Sequence, residues 1–324
     1  MHVIEATNVN DALAKGLYLI HCAGQPEESR NGPVLVYPAP VTTVYRNPTE
    51  RVLFCPIRDA NPFFHLMEAL WMMGGRNDVA WPTFFNGKFS AYSDDGLTFY
   101  GAYGHRWRNR FGVDQIKSVI AELKSNPNSR RAVIAMWSPE LDLGRDGADL
   151  PCNTTIYFAK RGDTLDMTVC CRSNDIMWGA YGANAVHMSV LQEVIAHAVS
   201  LNVGRYYQVS NNYHIYTDIF PQDSFKDRSL SAATNNRYVA GLRNLPMIST
   251  DFATWDADLQ RFLDDPLGHP SDYADSFFQI TAAPMYRAWY ERKKGTGNGL
   301  LLANDIEADD WRAACVNWIL RRAK

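Results

Sequence analysis

The sequence predicts an α+β fold in which a mixed β-sheet packs against long buried helices. Two apolar-rich runs, residues 154–161 and 165–173, are joined by "RGDT", a pattern typical of a β-hairpin. Two long and mostly apolar segments, residues 61–75 and 184–200, lie on either side of that hairpin in the chain and have the length of helices. Strands in the middle of the chain with buried helices flanking them therefore favour this fold class.

The composition is that of a globular protein. The 324 residues are 46% hydrophobic and 21% charged, and a formal net charge of -3 argues against nonspecific binding to nucleic acid. No apolar run approaches the ~20 residues that a membrane span needs, and the N-terminus lacks the pattern of a secretory signal. The six cysteines form no CxxC pair. We therefore expect a cytoplasmic protein with free thiols and no metal site.

Local patterns predict the remaining elements, and the absence of repeats or linkers favours one domain over residues 1–324. Residues 32–46 combine β-branched residues with prolines, which is typical of edge strands. The segment 219–324 is expected to be helix-rich, as a cap or dimer support. Further helices are predicted at 8–22, 114–127 and 308–324, and further single strands at 131–139 and 206–216.

The clearest helix is the segment "NPFFHLMEALWMMGG". Asn61 is a suitable N-cap, Pro62 suits the first turn, and Gly74 with Gly75 ends the helix. Its apolar residues surround most of the helix, which predicts burial. Glu68 lies inside this helix, where a carboxylate needs a partner or a chemical role.

Cys152, in "LPCN", has two interpretations. A lone cysteine is most often a small buried hydrophobe. It is also a nucleophile when nearby cations favour its thiolate. The adjacent Cys170 and Cys171 fall inside a strand pattern and are predicted to be packing residues. The candidate cations for Cys152 are Arg130, Arg131 and Arg172.

Several polar residues are ambiguous when they are taken singly. Arg130 and Arg131 are either a solvated helix end or a pair that grips a phosphate. His214 and Tyr216 share one face of a strand, as a core pair or as hydrogen-bonding groups for a sugar hydroxyl. Asn184 begins a helix, where it either caps the helix or reads the edge of a base.

The order of these motifs is more specific than any one of them. The series resembles the thymidylate synthase family, which includes the pyrimidine nucleotide hydroxymethylases, over about residues 30–218. The resemblance implies a homodimer in which the sheets of the two subunits pack against each other. The motifs are Glu68, "YGHRWR" at 103–108, "SRR" at 129–131, "LPCN" at 150–153, "CRSND" at 171–175, "WGAYGAN" at 178–184 and "HIY" at 214–216.

The resemblance implies a one-carbon transfer to a pyrimidine nucleotide. The Cys152 thiolate adds to carbon 6 of the base, and carbon 5 then attacks the one-carbon unit of the co-substrate 5,10-methylenetetrahydrofolate. Glu68 matches the glutamate that organises water and proton transfer, and Tyr103 matches a tyrosine near the nucleophile. Asp175 matches the carboxylate that contacts the folate.

The resemblance also assigns residues to the nucleotide. Arg172 and Ser173 match the phosphate-binding positions, and His214 with Tyr216 matches the pair that holds the sugar 3′-hydroxyl. Arg130 and Arg131 match an arginine pair that the partner subunit supplies, and Arg30 lies where the family has a flexible phosphate-binding loop.

Four departures from the synthases all affect the last step. Asn153 replaces the usual histidine after the nucleophile, and Asp149 replaces a leucine on the folate side. Lys88 or Phe89 stands where synthases carry a tryptophan, and "VNWILRRAK" does not match the apolar tail that closes the site. These changes favour water at the exocyclic methylene on carbon 5, where a synthase delivers a hydride. The sequence thus favours hydroxymethylation.

The sequence leaves two alternatives for the base that is recognised. Family members read uracil with asparagine and cytosine with aspartate. The segment from Gly179 to Asn184 is one residue longer than the synthase pattern. The residue that contacts the base is therefore Asn184 if the segment is aligned from the downstream helix, or Ala183 if it is aligned from Gly179. Asparagine favours dUMP, but a flipped amide also serves dCMP or CMP.

Two other hypotheses remain. One is an ordinary thymidylate synthase with an unusual active-site wall. The other is an inactive family member that binds nucleotide or RNA as a regulator, which the intact Cys152, Glu68 and arginine set argue against.

Overall fold

The computed structural model describes residues 1–322 and has the predicted α+β architecture. The strands are β1 (His2–Ala6), β2 (Gln25–Ser29), β3 (Gly32–Val36), β4 (Val41–Tyr45), β5 (Val133–Ala135), β6 (Asn153–Arg161), β7 (Thr164–Cys171), β8 (Asn174–Asp175), β9 (Asn202–Ser210) and β10 (Tyr213–Tyr216). The helices are α1 (Val9–Ala23), α2 (Pro62–Met73), α3 (Ala80–Phe85), α4 (Tyr103–Arg108), α5 (Gln115–Ser125), α6 (Pro139–Asp142), α7 (Asn184–Ala198), α8 (Phe225–Thr234), α9 (Phe252–Asp264), α10 (Ala283–Lys294), α11 (Gly299–Ala303) and α12 (Asp309–Leu320).

The strands form two mixed sheets. The larger has the order β1-β4-β9-β7-β6-β5, in which β1 with β4 and β7 with β9 are parallel and the other pairs are antiparallel. The smaller has the order β2-β3-β10-β8, with β8 and β10 parallel. The predicted hairpin is β6 and β7, and Gly162 in its turn has a φ of 61°, which glycine adopts without strain.

The long helices are as buried as their sequences predict. All residues of α2 are buried, and α7 is buried except near its C-terminal end. The Asn61 side chain accepts a hydrogen bond from the backbone N–H of Phe64, and the helix ends at Gly74. The helices predicted at 8–22 and 114–127 are α1 and α5, and the region after 219 is helix-rich, as α8 to α12. The last two residues of the predicted closing helix lie outside the described residues.

Two strand predictions were wrong. Residues 32–46 form β3 and β4, but both strands lie inside their sheets, because β2 and β1 pair with them on the outer side. Most of the prolines that suggested an edge lie in the connection 37–40, where they interrupt no ladder. Residues 206–216 are not one strand: the chain bends at 211–212, so that β9 joins the larger sheet and β10 the smaller.

A buried ion pair joins α4 to α6. Two nitrogens of Arg106 each lie 2.8 Å from a carboxylate oxygen of Asp142, and both side chains are fully buried. Arg106 also donates to the carbonyl oxygen of Met136 at 2.8 Å. The pair fixes α4, and with it Tyr103, relative to the segment that leads to Cys152.

Replacing Arg106 with leucine is expected to lower the free energy of unfolding by about 3–5 kcal/mol, because it leaves a buried carboxylate without its partner. The measurement is urea denaturation at one fixed protein concentration. The control is Arg110→Leu, an exposed arginine on the same segment, whose change should stay below about 1 kcal/mol. Equal stability of the two variants would contradict this account of the pair.

Candidate active site

Cys152 lies immediately before β6, and its backbone is held by Tyr103. The Tyr103 hydroxyl accepts hydrogen bonds from the backbone N–H of Cys152 at 3.0 Å and of Asn153 at 3.1 Å. Tyr103 begins α4, and the next residue, Gly104, packs on the backbone of α2: a Cβ at this position would lie 1.9 Å from the carbonyl oxygen of Met72. Close packing of α4 on α2 therefore positions the tyrosine that holds the cysteine.

Burial dominates the electrostatics of the Cys152 thiol. Burial raises the pKa of Cys152 above its ordinary value of 9.0, Arg172 and Arg30 oppose this, and Asp149 adds to it. Arg172, one of the predicted cations, does favour the thiolate, but in the single chain burial outweighs it. Two of the three candidate cations do not act on this thiol: Arg131 lies 2.9 Å from Glu122 in an exposed ion pair, and Arg130 is exposed beside it.

Two arginines contact the segment before the nucleophile. Arg172 donates to the carbonyl oxygen of Pro151 at 2.9 Å. Arg30, in the turn between β2 and β3, donates to the carbonyl oxygen of Gly147 at 3.3 Å. Ser173 follows Arg172 and is half-buried. The structure thus brings Arg30, Arg172 and Ser173 to the same part of the molecule as Cys152.

Glu68 is buried in α2 and faces a histidine that sequence reasoning missed. Its Oε2 lies 3.1 Å from Nε2 of His187 in α7, although neither atom has a well-aligned hydrogen bond. His187 comes three residues after Asn184, so the two share one face of the helix. That spacing was the only signal in the sequence, and the pairing with Glu68 depends on how α2 packs against α7.

Asn184 is hydrogen-bonded to the residue that follows the nucleophile. Nδ2 of Asn153 donates to Oδ1 of Asn184 at 3.0 Å, and Asn153 directly follows Cys152. Residues 176–183 form a π-helical turn, and the N–H of Asn184 donates to the carbonyl oxygen five residues back, that of Gly179. A π-helical turn accommodates one residue more than an α-helical turn. Such a turn can absorb an extra residue before Asn184, and the choice of Asn184 over Ala183 as the base-reading position stays a prediction.

Asp175, His214 and Tyr216 come together where β8 pairs with β10. Asp175 and His214 are register partners, and the His214 and Tyr216 rings contact edge to face with centroids 5.3 Å apart. Burial raises the pKa of Asp175 to about 6 and lowers the pKa of His214. Oδ2 of Asp175 and Nδ1 of His214 are buried without a hydrogen-bond partner, which is unusual for polar atoms outside ligand sites.

Asp149 adds a carboxylate near the nucleophile. Its Oδ2 accepts a hydrogen bond from the backbone N–H of Gly101 at 2.7 Å. Burial raises the pKa of Asp149 to about 6, and the charge of Glu68 contributes to this shift. Asp149 therefore lies within electrostatic range of both Cys152 and Glu68, and it is ionised at neutral pH while remaining basic enough to accept a proton.

Of Lys88 and Phe89, the two residues nearest the position where synthases carry a tryptophan, Phe89 packs into an aromatic cluster. Its ring contacts those of Phe64 and Phe99, at centroid distances of 5.2 and 4.9 Å, whereas Lys88 is exposed. Phenylalanine fills this aromatic cluster with a smaller ring than tryptophan would.

The structure brings a cysteine, a buried glutamate and an asparagine amide to one part of the fold, and this set of groups suits a thiol-dependent transferase. Among residues 1–322, no group of three or more His, Cys, Asp or Glu side chains is arranged to hold a metal ion. None of the helices described here is long and apolar enough to cross a membrane.

Comparison with known proteins agrees with this class. The family described as thymidylate synthase matches residues 57–233. The chain is 47% identical to the deoxyuridylate hydroxymethyltransferase of Pseudomonas phage M6, over 99% of this chain and 95% of the relative. It is 37% identical to the enzyme of the same name from Bacillus phage SP01, over 55% of this chain and 50% of the relative. The thymidylate synthase of Mycoplasma genitalium is 37% identical over 37% of this chain. The chain belongs to the thymidylate synthase family, and it is more similar to the hydroxymethyltransferases among these relatives.

Proposed function

We propose that this chain is a deoxyuridylate hydroxymethyltransferase. It transfers the one-carbon unit of 5,10-methylenetetrahydrofolate to carbon 5 of dUMP and adds water to the product of that transfer. The near full-length similarity to the enzyme of Pseudomonas phage M6 supports the reaction and the base. The observation that carries the choice of hydroxymethyl over methyl is the Asp149 carboxylate beside Cys152 and Glu68.

The chemistry begins and ends at Cys152. Its thiolate adds to carbon 6 of dUMP, which makes carbon 5 a nucleophile toward the folate methylene. Glu68 and the water it holds take the proton from carbon 5, and tetrahydrofolate leaves as an amine. Water then gives its hydroxyl to the exocyclic methylene, and the Cys152 thiolate departs from carbon 6. Dihydrofolate is not formed, because no hydride is transferred.

Asp149 orients and deprotonates the attacking water. A carboxylate whose pKa is about 6 is ionised at pH 7 and is a suitable general base near that pH. A leucine at this position has no group that holds water, so the charged side chain makes this wall of the site wet.

The remaining assignments concern binding. Arg172, Ser173 and Arg30 hold the phosphate, Asn184 reads the base, His214 and Tyr216 hold the sugar hydroxyl, and Asp175 contacts the folate. Arg130 and Arg131 complete the phosphate site of the partner subunit in a homodimer. The exposed Val133 and Tyr157, which are opposite each other in the β5–β6 ladder, support a dimer contact through the larger sheet. Free cysteines fit a reducing cytoplasm.

The test is to incubate the purified protein with methylenetetrahydrofolate and, separately, dUMP, dCMP or CMP. The nucleotide is analysed by mass and the folate by absorbance. The proposal predicts hydroxymethylated dUMP with tetrahydrofolate. Methylated dUMP with dihydrofolate would instead identify a thymidylate synthase, and turnover of dCMP or CMP alone would refute the choice of base.

Replacing Asp149 with leucine is expected to lower hydroxymethyl formation by about 10²-fold, because the water loses its general base. The fraction of methylated product should rise at the same time, since water no longer competes. Initial rates and product masses are measured together. Asp149→Asn is the matched variant: it keeps the wall polar but cannot accept the proton, so it should lose rate without gaining methylated product. Unchanged rate and product in Asp149→Leu would refute this role.

A further inference from the structure

A continuous row of buried side chains leads through Asn184. We name it the amide relay: Cys171, Asn153, Asn184, Asn174 and Gln208. Asn153 Nδ2 donates to Asn184 Oδ1 at 3.0 Å, Asn184 Nδ2 donates to Asn174 Oδ1 at 3.1 Å, and Asn174 Nδ2 donates to Gln208 Oε1 at 3.1 Å. All five side chains are buried. They come from β6, β7, β8, α7 and β9.

Both ends of the amide relay favour one direction of the hydrogen bonds. At one end, Gln208 Nε2 donates to the Tyr206 hydroxyl at 2.8 Å and to the carbonyl oxygen of Ala180 at 3.4 Å. The carbonyl oxygen only accepts, which favours the orientation with Oε1 toward Asn174. At the other end, the Cys171 thiol donates to Oδ1 of Asn153. Burial raises the pKa of Cys171 well above 9.0, so this thiol keeps its proton, and its sulfur is only a weak acceptor.

The fixed direction prevents the amide of Asn184 from rotating. A flipped Asn184 would place N–H against N–H on the Asn153 side and oxygen against oxygen on the Asn174 side. Each mispairing leaves buried polar groups without a partner, which destabilises the flipped orientation. An amide has two acceptor lone pairs and two N–H donors. The amide relay uses one of each and leaves one acceptor and one donor, in fixed places, for a ligand.

We propose that the amide relay makes this site selective for uracil over cytosine nucleotides, with Asn153 and Asn174 as positioning residues that act through Asn184. The inference rests on the proposed function, in which Asn184 reads the base. Uracil presents a ring N–H beside a carbonyl oxygen, and cytosine presents a ring nitrogen acceptor beside an amino group. A rotatable asparagine serves either base, whereas an asparagine of fixed orientation serves only one.

The test compares kcat/KM for dUMP with kcat/KM for dCMP in the wild type and in Cys171→Ala/Asn174→Ala, which removes the terminal donor on one side of Asn184 and its direct acceptor on the other. The wild-type ratio is expected to be on the order of 10⁴. The ratio should fall by about 100-fold in the double variant, partly through a gain in dCMP turnover. A merely structural defect lowers both values together and leaves the ratio unchanged. Cys170→Ala is the matched control, because Cys170 is adjacent to Cys171 and outside the amide relay, and its ratio should equal that of the wild type.

An unchanged ratio in a folded double variant would overturn the proposal. If the double variant does not fold, Cys171→Ala alone decides, because it removes only the terminal donor: a ratio lowered several-fold supports the amide relay, and a wild-type ratio overturns it. A wild type that does not use dUMP at all refutes the proposed function instead, so the two failures are distinguishable.

Discussion

Replacing Cys152 with serine is expected to lower turnover of dUMP by on the order of 10⁴-fold or more, to background. A serine hydroxyl does not ionise near neutral pH, so no nucleophile is available to add to carbon 6. Turnover and the covalent protein–nucleotide adduct, trapped by denaturation and weighed by mass spectrometry, are measured in parallel. Cys22→Ser is the control, since Cys22 is exposed near the end of α1 and is not one of the site residues. Activity that persists without the Cys152 thiol would show that the nucleophile is a different group.

The same cysteine has a defined pH dependence. Because burial holds the pKa of the Cys152 thiol above 9.0, the free enzyme carries mostly thiol at neutral pH. The rate of its alkylation by iodoacetamide should therefore rise with pH and not level off below about pH 9. A plateau near pH 7 would mean that the arginines outweigh burial, as the sequence alone suggested.

Replacing Glu68 with glutamine is expected to lower kcat by roughly 10²–10⁴-fold, because glutamine keeps the shape of the side chain but cannot transfer a proton. The buried position of Glu68 and the 3.1 Å distance from its Oε2 to Nε2 of His187 are the reasons for this expectation. The measurement is single-turnover kinetics with dUMP and the folate, which separates chemistry from product release.

The matched control for this variant is Glu140→Gln, an exposed glutamate in α6 that should leave kcat unchanged. Binding of dUMP to Glu68→Gln, measured by calorimetry, should remain close to that of the wild type. A Glu68→Gln enzyme with wild-type kcat would remove Glu68 from the proton transfer steps.

Local sequence patterns predicted the elements that depend on neighbouring residues. A buried helix that carries Glu68 was predicted from the cap at Asn61, the apolar residues on all sides of α2 and the end at Gly74. The structure confirmed this helix. The hairpin of β6 and β7 followed from its turn residues in the same way. A few consecutive residues are enough to determine each of these features.

Features that depend on contacts between residues far apart in the chain could not be predicted from the sequence. The strand β2 reads "QPEES" and is exposed throughout, so only its pairing with β3 identifies it. The contact of His187 with Glu68 requires the packing of two helices, and the amide relay requires five elements. No local sequence pattern predicted the π-helical turn before Asn184. The roles of Arg130 and Arg131 involve a partner subunit and stay predictions.

The most direct test of the central claim, that water is added to the exocyclic methylene, is turnover of dUMP in water enriched in heavy oxygen, followed by the mass of the nucleotide product. We expect a hydroxymethylated nucleotide that carries the heavy isotope in its new hydroxyl group, together with tetrahydrofolate. A methylated nucleotide without heavy oxygen, formed together with dihydrofolate, would contradict it and show that a hydride reaches carbon 5 despite Asp149.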